Sequence, residues 1–133
     1  IEGEQWDKIT ALCRQAVGTM LNFTLQHVGL PCGSADAAAS TARAICRLFG
    51  LEYRQGNTSD FAVPFVECCK AELPGTHGHI AIGTPDVERA EFHLGLQGTE
   101  FLEHTRKVDD KGRTKAIYLN QTFAGFAVHL MRK

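Results

Sequence analysis

The chain reads as an α+β fold in which two β-α-β-β-β modules form one curved mixed sheet shaped like a cup, preceded by an N-terminal helix. Three observations predict this. A His-led strand, an amphipathic helix closed by Gly, and a last strand ending on a polar residue occur twice. The first copy runs from Gln26-His27-Val28-Gly29-Leu30 to Phe65-Val66-Glu67-Cys68, the second from Gly78-His79-Ile80-Ala81-Ile82 to Ala127-Val128-His129-Leu130. A Gly-x-Glu-aromatic step follows both helices, as Gly50-Leu51-Glu52-Tyr53 and Gly98-Thr99-Glu100-Phe101. Finally, 133 residues with 44% hydrophobic and 22% charged content suit a single globular domain with its own core.

Residues 1–22 are expected to be a linker helix. Trp6, Ile9, Leu12, Cys13, Ala16 and Val17 fall at helical spacing over 4–20, with Met20 and Leu21 continuing the stripe. Trp6 is expected to pack. The cup domain then occupies 23–133, as module one (23–74) and module two (75–133). Phe23 to Leu30 reads as a strand broken by Pro31-Cys32-Gly33-Ser34. Asp36 is the expected N-cap of a helix running to Phe49, with Ala44, Ile45, Leu48 and Phe49 on its buried side and Gly50 as a left-handed C-cap. Strands follow at Leu51–Arg54, Asp60–Val63 and Phe65–Lys70, and Glu72-Leu73-Pro74-Gly75-Thr76 links the halves. In the second half, His77–Gly83 is a strand and a helix starts at Thr84 or Asp86, runs to about Leu96 and is closed by Gly98. Glu100–Arg106, Thr114–Asn120 and Phe126–Met131 are the remaining strands, and Asp109-Asp110-Lys111-Gly112 is the hairpin turn between the first two.

Composition narrows the function. A formal net charge of -1 gives no electrostatic reason for a nucleic-acid or anionic-membrane partner. No apolar run is long enough to cross a bilayer, and a cytoplasmic location is expected. The start Ile1-Glu2-Gly3 lacks Met, which points to a processed product or a domain of a longer protein. Five cysteines (Cys13, Cys32, Cys46, Cys68 and Cys69) without a C-x-x-C spacing read as reduced thiols, with a nucleophile at Cys69 as the weaker alternative. No Gly-rich phosphate loop leads from a strand into a helix.

Strand alternation carries the chemistry. His27 and Gly29 share one face of the first strand; Phe65, Glu67 and Cys69 share a face, as do His77, His79 and Ala81, and Ala127, His129 and Met131. The opposite, apolar sets can cover the helices. His27, Glu67, His77, His79 and His129 therefore gather on the helix-free side. Imidazole nitrogen and carboxylate oxygen suit a divalent Zn, Ni, Co, Fe or Mn ion, and ligand type does not choose among them. Arg54, Arg106, Lys115 and Tyr118 are candidates to hold an acidic substrate at the rim, although solvation is the plainer account of the three cations. His93 and His104 are expected to face solvent.

Two modules opening with His27-Val28-Gly29-Leu30 and Gly78-His79-Ile80-Ala81-Ile82 resemble the vicinal oxygen chelate superfamily, which includes glyoxalases and extradiol dioxygenases. Gly75-Thr76-His77-Gly78-His79-Ile80-Ala81-Ile82 looks like the start of a glyoxalase second module. The resemblance implies metal ligands on the first and last strands of each module, which by position are His27, Glu67, His79 and His129. It selects His79 over His77, leaving His77 as a ligand-supporting or substrate-contacting residue. Glyoxalases usually carry Glu at the last of the four positions, so His129 argues against the glyoxalase reaction and leaves Glu67 as the one ligating carboxylate and the candidate base. A further resemblance covers nearly the whole chain. Leu12-Cys13-Arg14-Gln15-Ala16-Val17, Phe23 to Leu30, Gly75 to Thr84, Ala116-Ile117-Tyr118-Leu119 and Gly125 to Leu130 are similar to an extension that follows the barrel of some bacterial keto-hydroxyglutarate/keto-deoxy-phosphogluconate aldolases. No lysine here inherits that barrel's Schiff-base role.

The expectation is thus a glyoxalase-like metal-binding domain acting on a small keto or hydroxy acid by metal-assisted proton transfer, as an isomerase, epimerase or lyase, with Glu67 as base. The alternative is a non-catalytic metabolite-binding or dimerisation module regulating an attached aldolase. A homodimer or an attached aldolase domain is the expected partner.

Overall fold

The computed structural model describes residues 2–133. Helix α1 (Gly3–Leu21) leads into β1 (Thr24–Pro31), α2 (Ala35–Phe49), β2 (Glu52–Gln55), β3 (Ser59–Val63) and β4 (Val66–Cys69). The same order returns as β5 (Gly78–Thr84), α3 (Val87–Gly95), β6 (Phe101–Val108), β7 (Thr114–Phe123) and β8 (Phe126–Arg132). The strands form one sheet in the order β2-β3-β4-β1-β5-β8-β7-β6. In each half the first strand lies parallel to the last, β1 with β4 and β5 with β8. The other pairs are antiparallel, and the halves meet through β1 and β5. This is the predicted pair of β-α-β-β-β modules.

Helices α2 and α3 each cover their own module on one face of the sheet. Under α2, Ala38 and Ala42 bury completely with Cys68, and Leu30, Cys32, Tyr53 and Val66 pack around them. Small residues four apart let the helix axis approach the strands closely. The expected buried side of α2 is corrected by this arrangement. Ala38, Ala42 and Cys46 take the inward stripe, and Leu48 and Phe49 are 71% and 72% exposed. Its N-cap is also corrected: Ser34, not Asp36, accepts a hydrogen bond from the Ala37 N–H at 3.2 Å. Asp36 stands in the first turn, where its charge complements the helix dipole. Gly50 closes the helix at φ 65°, as expected.

The second core joins Val87 and Ala90 of α3 to Ile117, Leu130 and Leu21. Asp86 caps α3 through the Arg89 N–H at 3.0 Å, and the helix stops at Gly95, one residue short of the expected end. Only the last turns of α1 dock, through Leu21 and Val17. The Thr84 hydroxyl donates to the Leu21 carbonyl at 2.7 Å, and Lys133 Nζ donates to Asn22 O at 2.7 Å. Trp6 lies beyond that contact, 56% exposed, so the N-terminal turns do not pack on this domain.

Glu88 on α3 ties the sheet end together, accepting from the Thr114 N–H on β7 and from Arg132 on β8. The Asp109 carboxylate closes the β6–β7 turn by accepting from the N–H groups of Lys111 and Arg113, both at 2.9 Å.

Ile117→Ala is expected to cost roughly 2–5 kcal/mol, because it empties a fully buried position between α3 and the sheet. Trp6→Ala should leave stability within about 0.5 kcal/mol. Urea denaturation followed by far-ultraviolet circular dichroism checks both.

Candidate metal centre

Register places the donors on two adjacent rungs of the helix-free face. One rung reads His27, Ala81, His129 and Tyr118 across β1, β5, β8 and β7. The other reads Glu67, Gly29, His79 and Ala127 across β4, β1, β5 and β8. Residues paired across strands point to the same face, as do residues two apart along a strand. The four positions expected to hold a metal are therefore neighbours, and all four come from one chain.

A small residue separates the donors on each rung: Ala81 between His27 and His129, Gly29 between Glu67 and His79. Gly29 is the tighter case, since a Cβ built there would overlap the His79 imidazole. The ring of His79 lies across the bare backbone of β1 and reaches the carboxylate on the far side.

Glu67 Oε2 stands 2.9 Å from His27 Nε2 and 3.1 Å from His79 Nε2, and the two nitrogens are 3.3 Å apart. His129 completes the group, its ring centroid 5.0 Å from that of His79 and 5.6 Å from that of His27. The nitrogens of the three imidazoles lie within 4.8 Å of one another. Ser59 on β3 holds the other carboxylate oxygen, its hydroxyl donating to Glu67 Oε1 at 2.6 Å.

Charge in the cluster follows from these contacts. Burial opposes ionisation of Glu67, but hydrogen bonds from His27, His79 and Ser59 outweigh it and hold the carboxyl well below the usual carboxylate range. Burial, reinforced by His79 and His27, pushes His129 down to about 4, so its imidazole is neutral near pH 7. Burial also raises Tyr118 above the usual phenol range and keeps its hydroxyl a donor. Burial pushes the Cys69 thiol up to about 11, which disfavours the free nucleophile considered from the sequence. A neutral imidazole at His129 and an ionised carboxylate at Glu67 are the protonation states a divalent cation requires of those two groups.

The cluster floors a cavity of about 820 Å³. Phe61, Val63, Leu73 and Met131 supply apolar wall, and Arg54, His104, Lys107 and Lys115 stand among the lining residues. Irregular pairing of β6 with β7 builds this side of the cup. Leu102 pairs with Tyr118 but Lys107 with Ala116, so β6 carries extra residues between these two pairs. Thr105 stitches the bulge by donating to Leu102 O at 2.6 Å and accepting from the Tyr118 N–H at 3.1 Å. Lys107 faces Ala116 while Val108 faces Thr114, which makes Lys115 the unpaired residue of a bulge on β7.

Among the other residues singled out from the sequence, Tyr118 joins the cluster, its ring 4.8 Å from that of His129. His77 does not. It precedes β5, lies 2.9 Å through Nδ1 from the Ala124 carbonyl and packs edge-on to Phe126. Arg106 is not a free cation at the rim, because Glu91 binds it through both carboxylate oxygens, at 2.7 and 2.9 Å, and Glu103 and Thr114 take further bonds. Arg54 lies 4.8 Å over the Phe61 ring, and His104 is exposed at the rim. Ser59, Thr105 and Lys107 escaped sequence reasoning. Gly29 carried a signal, since it shares a face with His27 two residues away.

No family model and no curated protein matches the chain. Solved structures share its fold. A hypothetical protein from Bacillus halodurans is 15% identical, with a TM-score of 0.59 over 84% of this chain and 94% of that one. A Streptomyces coelicolor methylmalonyl-CoA epimerase bound to 2-nitronate-propionyl-CoA is 16% identical, with a TM-score of 0.56 over 83% and 94%. The methylmalonyl-CoA epimerase of Mycobacterium tuberculosis is 13% identical, with a TM-score of 0.56 over 85% and 89%. The fold is the vicinal oxygen chelate fold that the sequence resemblance implied. Among the described residues, no helix is long and apolar enough to cross a membrane.

Gly29→Ala is expected to force the His79 ring off Glu67 and to destabilise the metal-free protein by about 1–3 kcal/mol, the usual cost of overpacking. Histidine-selective NMR together with denaturant titration reads both effects.

Proposed function

We propose that this domain binds a divalent metal through His27, Glu67, His79 and His129 and acts on a small keto or hydroxy acid by proton transfer beside the carbonyl. The observation that carries this is the convergence of His27 Nε2, His79 Nε2 and Glu67 Oε2 within 3.3 Å of one another at the floor of a deep cup. Three imidazoles and one carboxylate suit Zn, Ni, Co, Fe or Mn. When bound, such an ion supplies Lewis acidity to two adjacent substrate oxygens.

The chain's own groups supply the rest. Glu67 is the one carboxylate of the donor set and is the base in this reading, moving a proton next to the carbonyl while Ser59 steadies its other oxygen. Tyr118, beside His129, donates its hydroxyl toward a substrate oxygen. Lys107 and Lys115 face the acid's charge from the rim, for neither forms an ion pair among the described residues, whereas Arg106 is spent on Glu91 and Glu103. Apolar walls of Val63, Leu73 and Met131 shed water from the reacting carbon.

Of the reaction types left open by the sequence, isomerisation and epimerisation fit the epimerase neighbours, and lyase chemistry does not. Attachment to an aldolase barrel and pairing with a second copy rest on the sequence resemblance alone. The single carboxylate also supports a second reading, a non-catalytic module that holds a metabolite and regulates an attached aldolase. Ligand binding without turnover in metal-loaded protein selects it.

Elemental analysis of untagged protein is expected to find stoichiometric metal that His79→Ala and His129→Ala both lose. Ser59→Ala should weaken metal binding roughly 10–100-fold, as removal of a ligand's hydrogen-bond partner does, measured by competition with a chelator. Retention of full metal content by both histidine variants would remove the site.

A screen of small 2-keto and 2-hydroxy acids on metal-loaded protein checks the substrate class. Replacing Lys107 and Lys115 together by Ala should weaken binding of a responding acid roughly 2–30-fold, since each solvent-exposed ion pair contributes about 0.2–1 kcal/mol. Turnover that survives Glu67→Gln unchanged would strip Glu67 of the role of base.

A further inference from the structure

Cys68 and Cys69 are adjacent on β4 and therefore face opposite sides of the sheet. Cys68 enters the core under α2 with Ala38 and Ala42, where it acts as a small apolar residue. Cys69 faces the other way. It lies two residues after Glu67 on the same face, pairs across the sheet with Ser59, and is 1% exposed. Its Sγ, a carboxylate oxygen of Glu67 and a ring nitrogen of His79 all lie within 4.8 Å of one another. A core thiol has no need of such surroundings, and a metal ligand does.

We propose that Cys69 is a fifth donor of the metal centre, giving it a thiolate position that overlaps the His-and-carboxylate set at Glu67 and His79. Zinc–sulfur and zinc–nitrogen bonds are about 2.3 Å and about 2.0–2.1 Å long, so two such donors on one ion stand at most about 4.4 Å apart. A separation of no more than 4.8 Å places Cys69 close to that range. Coordination converts the thiol to thiolate, one S–H bond breaking as one metal–sulfur bond forms and the proton passing to solvent. A thiolate makes the cup prefer Zn and other thiophilic ions to Mn, which favours oxygen donors. This inference rests on the metal-binding reading above and narrows which ions the site selects.

Cobalt titration of the intact, untagged chain tests it. Wild type and Cys68→Ser are expected to show visible ligand-field bands together with a near-ultraviolet thiolate-to-cobalt charge-transfer band, and Cys69→Ser to keep the first and lose the second. Ligand-field bands without charge transfer in wild type would overturn the fifth donor and leave the four-ligand site standing. Charge transfer that persists in Cys69→Ser overturns it as well, and failure of wild type to bind cobalt overturns both. If Cys69→Ser does not fold, X-ray absorption of the zinc-loaded wild type decides, with a sulfur neighbour at about 2.3 Å expected and a shell of nitrogen and oxygen alone contradicting the inference.

Discussion

The antiparallel pairing of β1 with β5 is the constraint on which the rest of this molecule depends. It sets Gly29 against His79 and His27 against Ala81. Each module alone carries half a donor set, Glu67 and His27 in one and His79 and His129 in the other. A slip of one residue in this pairing would turn one module's donors toward the helices and leave the other's on the cup face. Two hydrophobic cores, one under each helix, protect against that slip, because the apolar sets on the opposite faces of the same strands are committed to α2 and α3.

The same register explains why small residues sit between the donors. Imidazole rings are wide relative to the spacing of neighbouring strands, and donors on adjacent strands would crowd one another if each intervening position carried a bulky side chain. Ala81 and Gly29 remove that bulk, and the His79 ring occupies the space above Gly29. The cost falls on local strand stability, since Gly within a strand is a weak choice. Hydrogen bonds from Ser59 and the histidines to Glu67 offset it by keeping a half-buried carboxylate satisfied.

Around this regular floor, the walls are made from irregularity. Bulges in β6 and β7 release backbone from the ladder and bring Lys107 and Lys115 to the rim, with Thr105 supplying the hydrogen bonds that the ladder gives up. The division suits the proposed function. A metal centre needs positions held to fractions of an ångström by a continuous sheet, whereas a substrate rim can be built on strand segments that curve away.

Much of this was legible in the chain. The duplicated His-strand, helix and Gly-x-Glu-aromatic pattern determined the two modules, because period-2 and period-3.6 patterns and glycine punctuation are local properties of sequence. Alternation along each strand also determined that His27, Glu67, His79 and His129 share the helix-free face. What only the tertiary structure decided depends on distance between segments far apart in the chain. Trp6 and the large side chains ending α2 stay exposed because nothing packs over them, although their spacing matches a buried stripe. His77 turns to the Ala124 carbonyl, Arg106 is claimed by Glu91 and Glu103, and Ser59 reaches Glu67 across β3 and β4. A residue's face follows from its own strand, but its partner follows from which strand lies alongside and in what register, and that is settled when the two cores form.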